Sequence, residues 1–131
     1  MSNCVRYYTD KEGCLVYKMN QGAIHTITIY VEAEAAPNNY VPVDLSGQDE
    51  IRIDFKKVLS QPDRVIFSKD LNDGITISGD DNNIVNITIN QEDTEGCCMN
   101  LIGTLSIKKG IYREDLLNIK LNIYPITNNN L

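Results

Sequence analysis

The stretch that decides the fold is Ile51-Arg52-Ile53-Asp54-Phe55-Lys56, in which apolar and charged residues alternate without a break. In an extended chain Ile51, Ile53 and Phe55 share one face and Arg52, Asp54 and Lys56 the other. Such alternation marks a strand with one buried and one solvated side. The pattern recurs on both flanks. Downstream come Val65-Ile66-Phe67, Gly74-Ile75-Thr76-Ile77 and Ile84-Val85-Asn86-Ile87-Thr88-Ile89. Upstream, Ile24 to Ala33 puts Ile27, Ile29 and Val31 on one face and Thr26, Thr28, Tyr30 and Glu32 on the other.

The breaks between these runs carry turn chemistry. Asp44-Leu45-Ser46-Gly47, Ser60-Gln61-Pro62-Asp63, Leu71-Asn72-Asp73-Gly74 and Gly79-Asp80-Asp81-Asn82-Asn83 are rich in residues that favour turns. Glu34 to Asn39 reads as a loop, and Pro42 makes Tyr40 to Leu45 an edge strand or an extended connection. Gln91 to Gly96 reads as a single helical turn or a loop. Leu101, Gly103, Leu105 and Ile107 define a long strand ending at Lys108-Lys109-Gly110. Ile111 to Leu117 reads as a connection with helical or hairpin character. Ile119, Leu121 and Ile123 define a last strand, closed by Pro125.

The N-terminus differs, with Val5 to Thr9 and Cys14 to Lys18 separated by Asp10-Lys11-Glu12-Gly13. These pieces are expected to form a hairpin, or an arm that docks on another subunit. Short strands at regular spacing, without a long amphipathic helix, predict an all-β immunoglobulin-like antiparallel sandwich of about seven or eight strands. A small barrel is the alternative. The expected division is an N-terminal arm or hairpin over 1–22, a sandwich over 23–127 and a polar tail over 128–131.

Composition bounds the function. The 131 residues suffice for one domain with its own core. Hydrophobic residues make up 42% and charged residues 23%, the balance of a globular chain rather than a disordered one. The net charge of −6, with Arg6, Arg52, Arg64 and Arg113 isolated, opposes nucleic-acid binding. The start lacks the apolar core of a secretory signal, and no run is long enough for membrane insertion. These features make a cytosolic origin the default expectation; virion proteins are also made without signals, so a location in a virion, or in the host cytoplasm before assembly, is compatible with them.

No motif announces a chemistry. Cys4, Cys14, Cys97 and Cys98 contain no Cys-x-x-Cys pair and read as free thiols. The single histidine, His25, has no nucleophile beside it in sequence. Asp70, Asp73, Asp80 and Asp81 are acidic, and Asp80-Asp81-Asn82-Asn83 has oxygen ligands for calcium. The same residues are ordinary hairpin formers and lack the calcium-loop spacing. Asp54 and Asp73 form a conceivable carboxylate pair that nothing in the sequence brings together. Asn86-Ile87-Thr88 matches a glycosylation acceptor, which has meaning only in a secreted eukaryotic chain. Tyr30, Tyr40, Tyr112 and Tyr124 are candidates for stacking on sugars but are scattered. No catalytic, cofactor-binding or metal residue is assigned, and no cofactor is expected.

One resemblance goes further. Gln21-Gly22, Val43-Asp44-Leu45-Ser46-Gly47 and Ile51 to Lys56 together resemble the N-terminal domain of upper baseplate proteins of tailed phages. There an early Gln-Gly strand precedes an Asp-Leu-Thr/Ser-Gly turn and an arginine-bearing strand. Gly74 to Ile77 and Ile84 to Ile89 look like the middle hairpin of that family, Gln91 to Gly96 its acidic turn, and Asn118 to Thr127 its closing strand. The similarity spans residues 21–127. It departs at Cys97-Cys98-Met99 and in the absence of a following receptor-binding head. It implies a phage or prophage structural protein that is not an enzyme and binds other virion or tail proteins, as an oligomer or as one subunit of an assembly. The alternative is a β-sandwich module for a carbohydrate or another cell-surface ligand.

Overall fold

The computed structural model describes residues 5–9, 16–58, 65–95 and 100–125. Among them the chain forms β1 (Val5–Thr9), β2 (Val16–Asn20), β3 (His25–Ala36), β4 (Asn39–Pro42), β5 (Glu50–Lys56), β6 (Val65–Asp70), β7 (Ile75–Ser78), β8 (Ile84–Ile89), the helical turn α1 (Gln91–Thr94), β9 (Asn100–Lys109) and β10 (Tyr112–Tyr124). One sheet runs β1-β3-β8-β7, with β4 also on β3; the other runs β2-β10-β9-β5-β6. The sequence of sheet changes is that of an immunoglobulin-like sandwich. β1, β3, β7 and β8 correspond to strands A, B, D and E, and β5, β9 and β10 to C, F and G. β6 widens the second sheet in the manner of a variable-type domain.

The alternation read from sequence supplies the core. Ile27, Ile29 and Val31 from β3, with Ile75, Val85, Ile87 and Ile89, form the inner face of the first sheet. Ile51, Ile53, Phe55, Leu101, Leu105, Ile119, Leu121 and Ile123 form that of the second. Each such side chain contributes roughly 1.5–3 kcal/mol on burial. Phe55 packs against Phe67 with ring centroids 5.0 Å apart. Between Asp54 and Phe55 on one side and β10 on the other, β9 carries Gly103, where the neighbouring strands leave no room for a side chain.

Turn residues behave as their chemistry requires. The Asp44 carboxylate accepts from the Ser46 N–H at 2.8 Å and from its hydroxyl at 2.6 Å, which seats Leu45 in the core. The β7–β8 hairpin uses Gly79 (φ 91°) and Asn82 (φ 53°), left-handed positions that glycine and asparagine tolerate. Buried Asn83 donates its amide to the Val31 carbonyl at 3.3 Å, fastening this hairpin to β3.

Four local expectations change. The N-terminal pieces do not pair with each other. β1 lies antiparallel to β3 in the first sheet, and β2 lies parallel to β10 in the second. The reason is burial: on β2, Met19 enters the core beside Ile123, and β2 covers an edge of β10 that would otherwise be open. The sandwich is therefore mixed, with ten strands among the described residues. The loop predicted from Glu34 is strand as far as Ala36, because β4 pairs with it through a turn at Asn38 (φ 62°). Ile111 to Leu117 has the hairpin rather than the helical character: Ile111 lies in the β9–β10 turn and Tyr112 to Leu117 form the first half of β10. Its polar residues hide the alternation because this part of the hairpin projects past the core, with a bulge between Asp115 and Leu117. Ser60 to Asp63, Arg64, the four cysteines, the Asp10–Gly13 loop and the tail fall outside the described residues.

One buried ion pair joins the sheets. Lys69 on β6 is only 2% exposed, and its Nζ lies 2.7 Å from the Asp93 Oδ2 on α1. The same Asp93 oxygen accepts the Asn90 N–H at 2.7 Å. Thr94 is buried and accepts the Gly22 N–H at 2.8 Å, so α1 is held from both sides.

Candidate functional site

The outer faces of the two sheets carry what the core does not use. On the first sheet, β1 sets Arg6 opposite Glu32 and Tyr8 opposite Tyr30 of β3. Both Arg6 Nε and Nη2 donate to Glu32 Oε1, at 2.9 and 2.6 Å. The Tyr8 hydroxyl donates to Glu32 Oε2 at 3.0 Å. Tyr8 and Tyr30 stack at 4.9 Å, nearly parallel, at 8°. The Arg6 guanidinium also lies 3.9 Å from the Tyr40 ring centroid and 5.3 Å from that of Tyr8. Arg6 thus reaches over β3 from β1 to β4, and the three strands present one continuous tyrosine–arginine surface. Burial, then the Glu32 carboxylate, pushes the Tyr8 hydroxyl above its ordinary pKa.

On the second sheet, Arg52 donates through Nε to Asp54 at 2.9 Å and lies 3.8 Å from Asp70; Ser68 joins the same group. Arg113 lies beyond Ser106, 3.9 Å from Glu50. Arg52, Asp54, Ser106 and Arg113 line a polar groove of about 240 Å³ with Lys56, Thr104 and Asp115. Asp54 and Asp70 offset the charge of Arg52, and Glu50 that of Arg113.

The sequence candidates fall as follows. Tyr30 and Tyr40 come together, joined by Tyr8, Arg6 and Glu32, which the sequence reading passed over. The pattern Arg6-x-Tyr8 and Tyr30-x-Glu32 was visible, but the β1–β3 register that overlays them was not. Tyr112 is exposed near the β9–β10 turn, and Tyr124 is exposed at the end of β10. His25 is half-buried at the start of β3, opposite Ile89. Asp54 is engaged with Arg52 and Ser68, whereas Asp73 closes the β6–β7 turn by mutual backbone hydrogen bonds with Asp70. Asp80 and Asp81 are exposed in the β7–β8 hairpin. Among the described residues no group of three or more His, Cys, Asp or Glu stands ready to hold a metal. Asn86 donates its amide to Ser78 at 2.8 Å and accepts from Thr28 at 3.2 Å.

No family model matches this chain, and no curated protein matches it. Among solved structures, the crystal structure of domains 4 and 5 of the S-layer protein SbsC aligns with 94% of this chain, at 11% identity and a TM-score of 0.36. The match covers 54% of that structure, so this chain spans about half its length.

Proposed function

We propose that this chain is a structural module of a phage or prophage particle, associated with the tail or baseplate, that works by binding other virion proteins. The setting is supported by the resemblance carried by Gln21-Gly22, Val43 to Gly47 and Ile51 to Lys56. The mode is supported by one observation, the surface formed by Arg6, Tyr8, Tyr30 and Tyr40 on the first sheet. Tyrosine and arginine are the residue types that dominate the energetics of protein interfaces. Here they are held in order by stacking and by Glu32, so little side-chain entropy is lost when a partner arrives.

The carbohydrate reading has less support from the same surface. Sugar rings stack on free aromatic faces, but Tyr8 and Tyr30 cover each other, and Arg6 lies over Tyr40. No catalytic step is assigned to the module.

The test is mass spectrometry of purified particles induced from the source strain. Several copies of the chain per particle are expected, with incorporation reduced at least about tenfold by Tyr40→Ala, a loss typical of an interface anchor. Absence of the wild-type chain from intact particles would sink the proposal.

A further inference from the structure

At the end of the second sheet nearest α1, the outer face is basic in an acidic protein. A groove of about 400 Å³ there is lined by Lys57, Asn100, Ile102, Lys120 and Asn122, among others, with no carboxylate among the described residues of its wall. Register places Lys120 and Lys56 on either side of Ile102, in the same row across the sheet. Lys18 of β2 sits beside Asn122 in the next row. Among the described residues none of these four lysines makes an ion pair, unlike the arginines further along the same face. Among the described residues positive charge is thus gathered without a paired counter-charge, on a chain whose net charge is −6.

The missing counter-charge lies at the opposite pole. β8 runs from the β7–β8 hairpin towards α1, and β9 leaves from the α1 end at Asn100. The hairpin and the lysine groove are therefore at opposite ends of the sandwich. The hairpin exposes Asp80 and Asp81, neither of them ion-paired among the described residues. Its backbone is set by Gly79, by the Asn82 N–H donating to the Gly79 carbonyl at 3.1 Å, and by the Asn83 amide on β3. It is a doubly negative hairpin tip whose backbone is held by hydrogen bonds.

We propose that the lysine groove receives the Asp80–Asp81 hairpin of a second copy of this chain. The lysines supply charge, and the Asn100 and Asn122 amides are suited to donate to the carboxylates. Groove and tip are different surfaces of one molecule, so each contact joins unlike patches. Two copies lying antiparallel side by side close both contacts in a symmetric pair, whereas copies stacked end to end propagate into a ring or a filament. This deepens the assembly reading and takes its biological sense from it. The test uses the isolated chain, so a failure to find the chain in particles leaves this result standing on its own, and the converse holds too.

Sedimentation velocity over a range of protein concentrations, in about 20 mM and about 0.5 M salt, reads the interaction directly, because screening weakens exposed charge pairs. The wild-type chain is expected to associate with rising concentration at low salt and to be monomeric at high salt. A Lys57→Glu/Lys120→Glu variant and an Asp80→Lys/Asp81→Lys variant are each expected to stay monomeric. Mixed in equal amounts they are expected to associate again, since each reversed surface then faces its complement. Circular dichroism and melting of each variant verify the fold. The neutral pair Asp80→Asn/Asp81→Asn, expected to weaken association about tenfold, serves if charge reversal disturbs the hairpin. A wild-type chain that is monomeric throughout overturns the proposal, as do single variants that associate like wild type, or a mixture that stays monomeric. A monomeric wild-type chain that binds poly-glutamate would also overturn it, and would give the groove to a different acidic partner.

Discussion

A methyl group at position 103 has no room. A Cβ there would lie 2.8 Å from the Asp54 carbonyl oxygen and from Ile53 Cγ1, and 3.0 Å from the Phe55 ring. Two of these neighbours are packed core residues and the third is backbone, so none can give way cheaply. Gly103→Ala is expected to cost about 1–3 kcal/mol, the usual range for overpacking, read as a lower urea midpoint at unchanged slope. At the surface, Asp44 works in the opposite sense. Hydrogen bonds from the Ser46 hydroxyl and then the Ser46 N–H hold its carboxyl below the ordinary carboxylate range. A depressed folded-state pKa gives stabilisation that is present above the unfolded value and lost as pH falls through the folded one. In an NMR titration Asp44 is expected to protonate at lower pH than a free carboxylate, and Ser46→Ala is expected to return it upward. An unmoved midpoint in Ser46→Ala would remove the hydrogen-bond account.

Among the elements, β1 is held by side chains on its outer face as well as by its ladder with β3. Burial, followed by Glu32, raises the Tyr8 pKa above 10.0. A raised folded-state value in an acid means that the stabilisation is complete below the unfolded pKa and is lost as pH rises through the folded one. Tyrosinate absorbance during an alkaline titration is therefore expected to show a late phase, accompanied by loosening of β1 as the phenolate meets Glu32. Burial, then Glu114, also pushes the Tyr7 hydroxyl up, so Tyr8→Phe should remove one tyrosine's amplitude from that phase and leave that of Tyr7; an undiminished amplitude would mean that Tyr8 does not titrate late. The α1 turn depends on a different contact. Asp93→Ala leaves Lys69 buried without its partner and is expected to cost about 3–5 kcal/mol in chemical denaturation. The double variant Lys69→Met/Asp93→Asn is expected to recover most of that loss, because a buried pair holds little net advantage over apolar packing. A double variant as unstable as Asp93→Ala would mean that the pair itself, not the orphaned charge, carries the stability.

For the whole molecule, Ile53, Ile87 and Leu105 are completely buried, one on each of three strands and drawn from both sheets. Replacing any of them by aspartate puts an unpaired charge into the shared core, at a cost of several kcal/mol against a total stability of about 5–15 kcal/mol. Each variant is expected to be unfolded, or to melt far below wild type. Retention of the wild-type melting temperature in all three would mean that the inner faces are wrongly assigned. Two sheets sharing one core also explain why function belongs on the outside: the interior is filled by aliphatic side chains and Phe55, and the buried polar groups Lys69, Asn83 and Thr94 are engaged in contacts that hold the fold.

The sequence by itself determined the central strands and their buried faces, because period-two alternation reflects a local property, the direction of successive side chains; it did not reach the polar ends of β3 and β10, where that alternation fades. Ile27 to Val31, Ile51 to Phe55 and Ile84 to Ile89 were legible for that reason, as was the asparagine–glycine chemistry of the β7–β8 hairpin. What no local pattern encodes is which strand lies beside which. The separation of β1 from β2 into opposite sheets, the meeting of Arg6 and Tyr8 with Tyr30 and Tyr40, and the reach of Lys69 to Asp93 all depend on pairings between residues distant in sequence. So does the gathering of Lys18, Lys56, Lys57 and Lys120, which come from separate strands and the residue just after one of them. Tertiary structure decided these, because a strand presents the same alternation to any neighbour, and only burial of the whole set of inner faces at once selects the register.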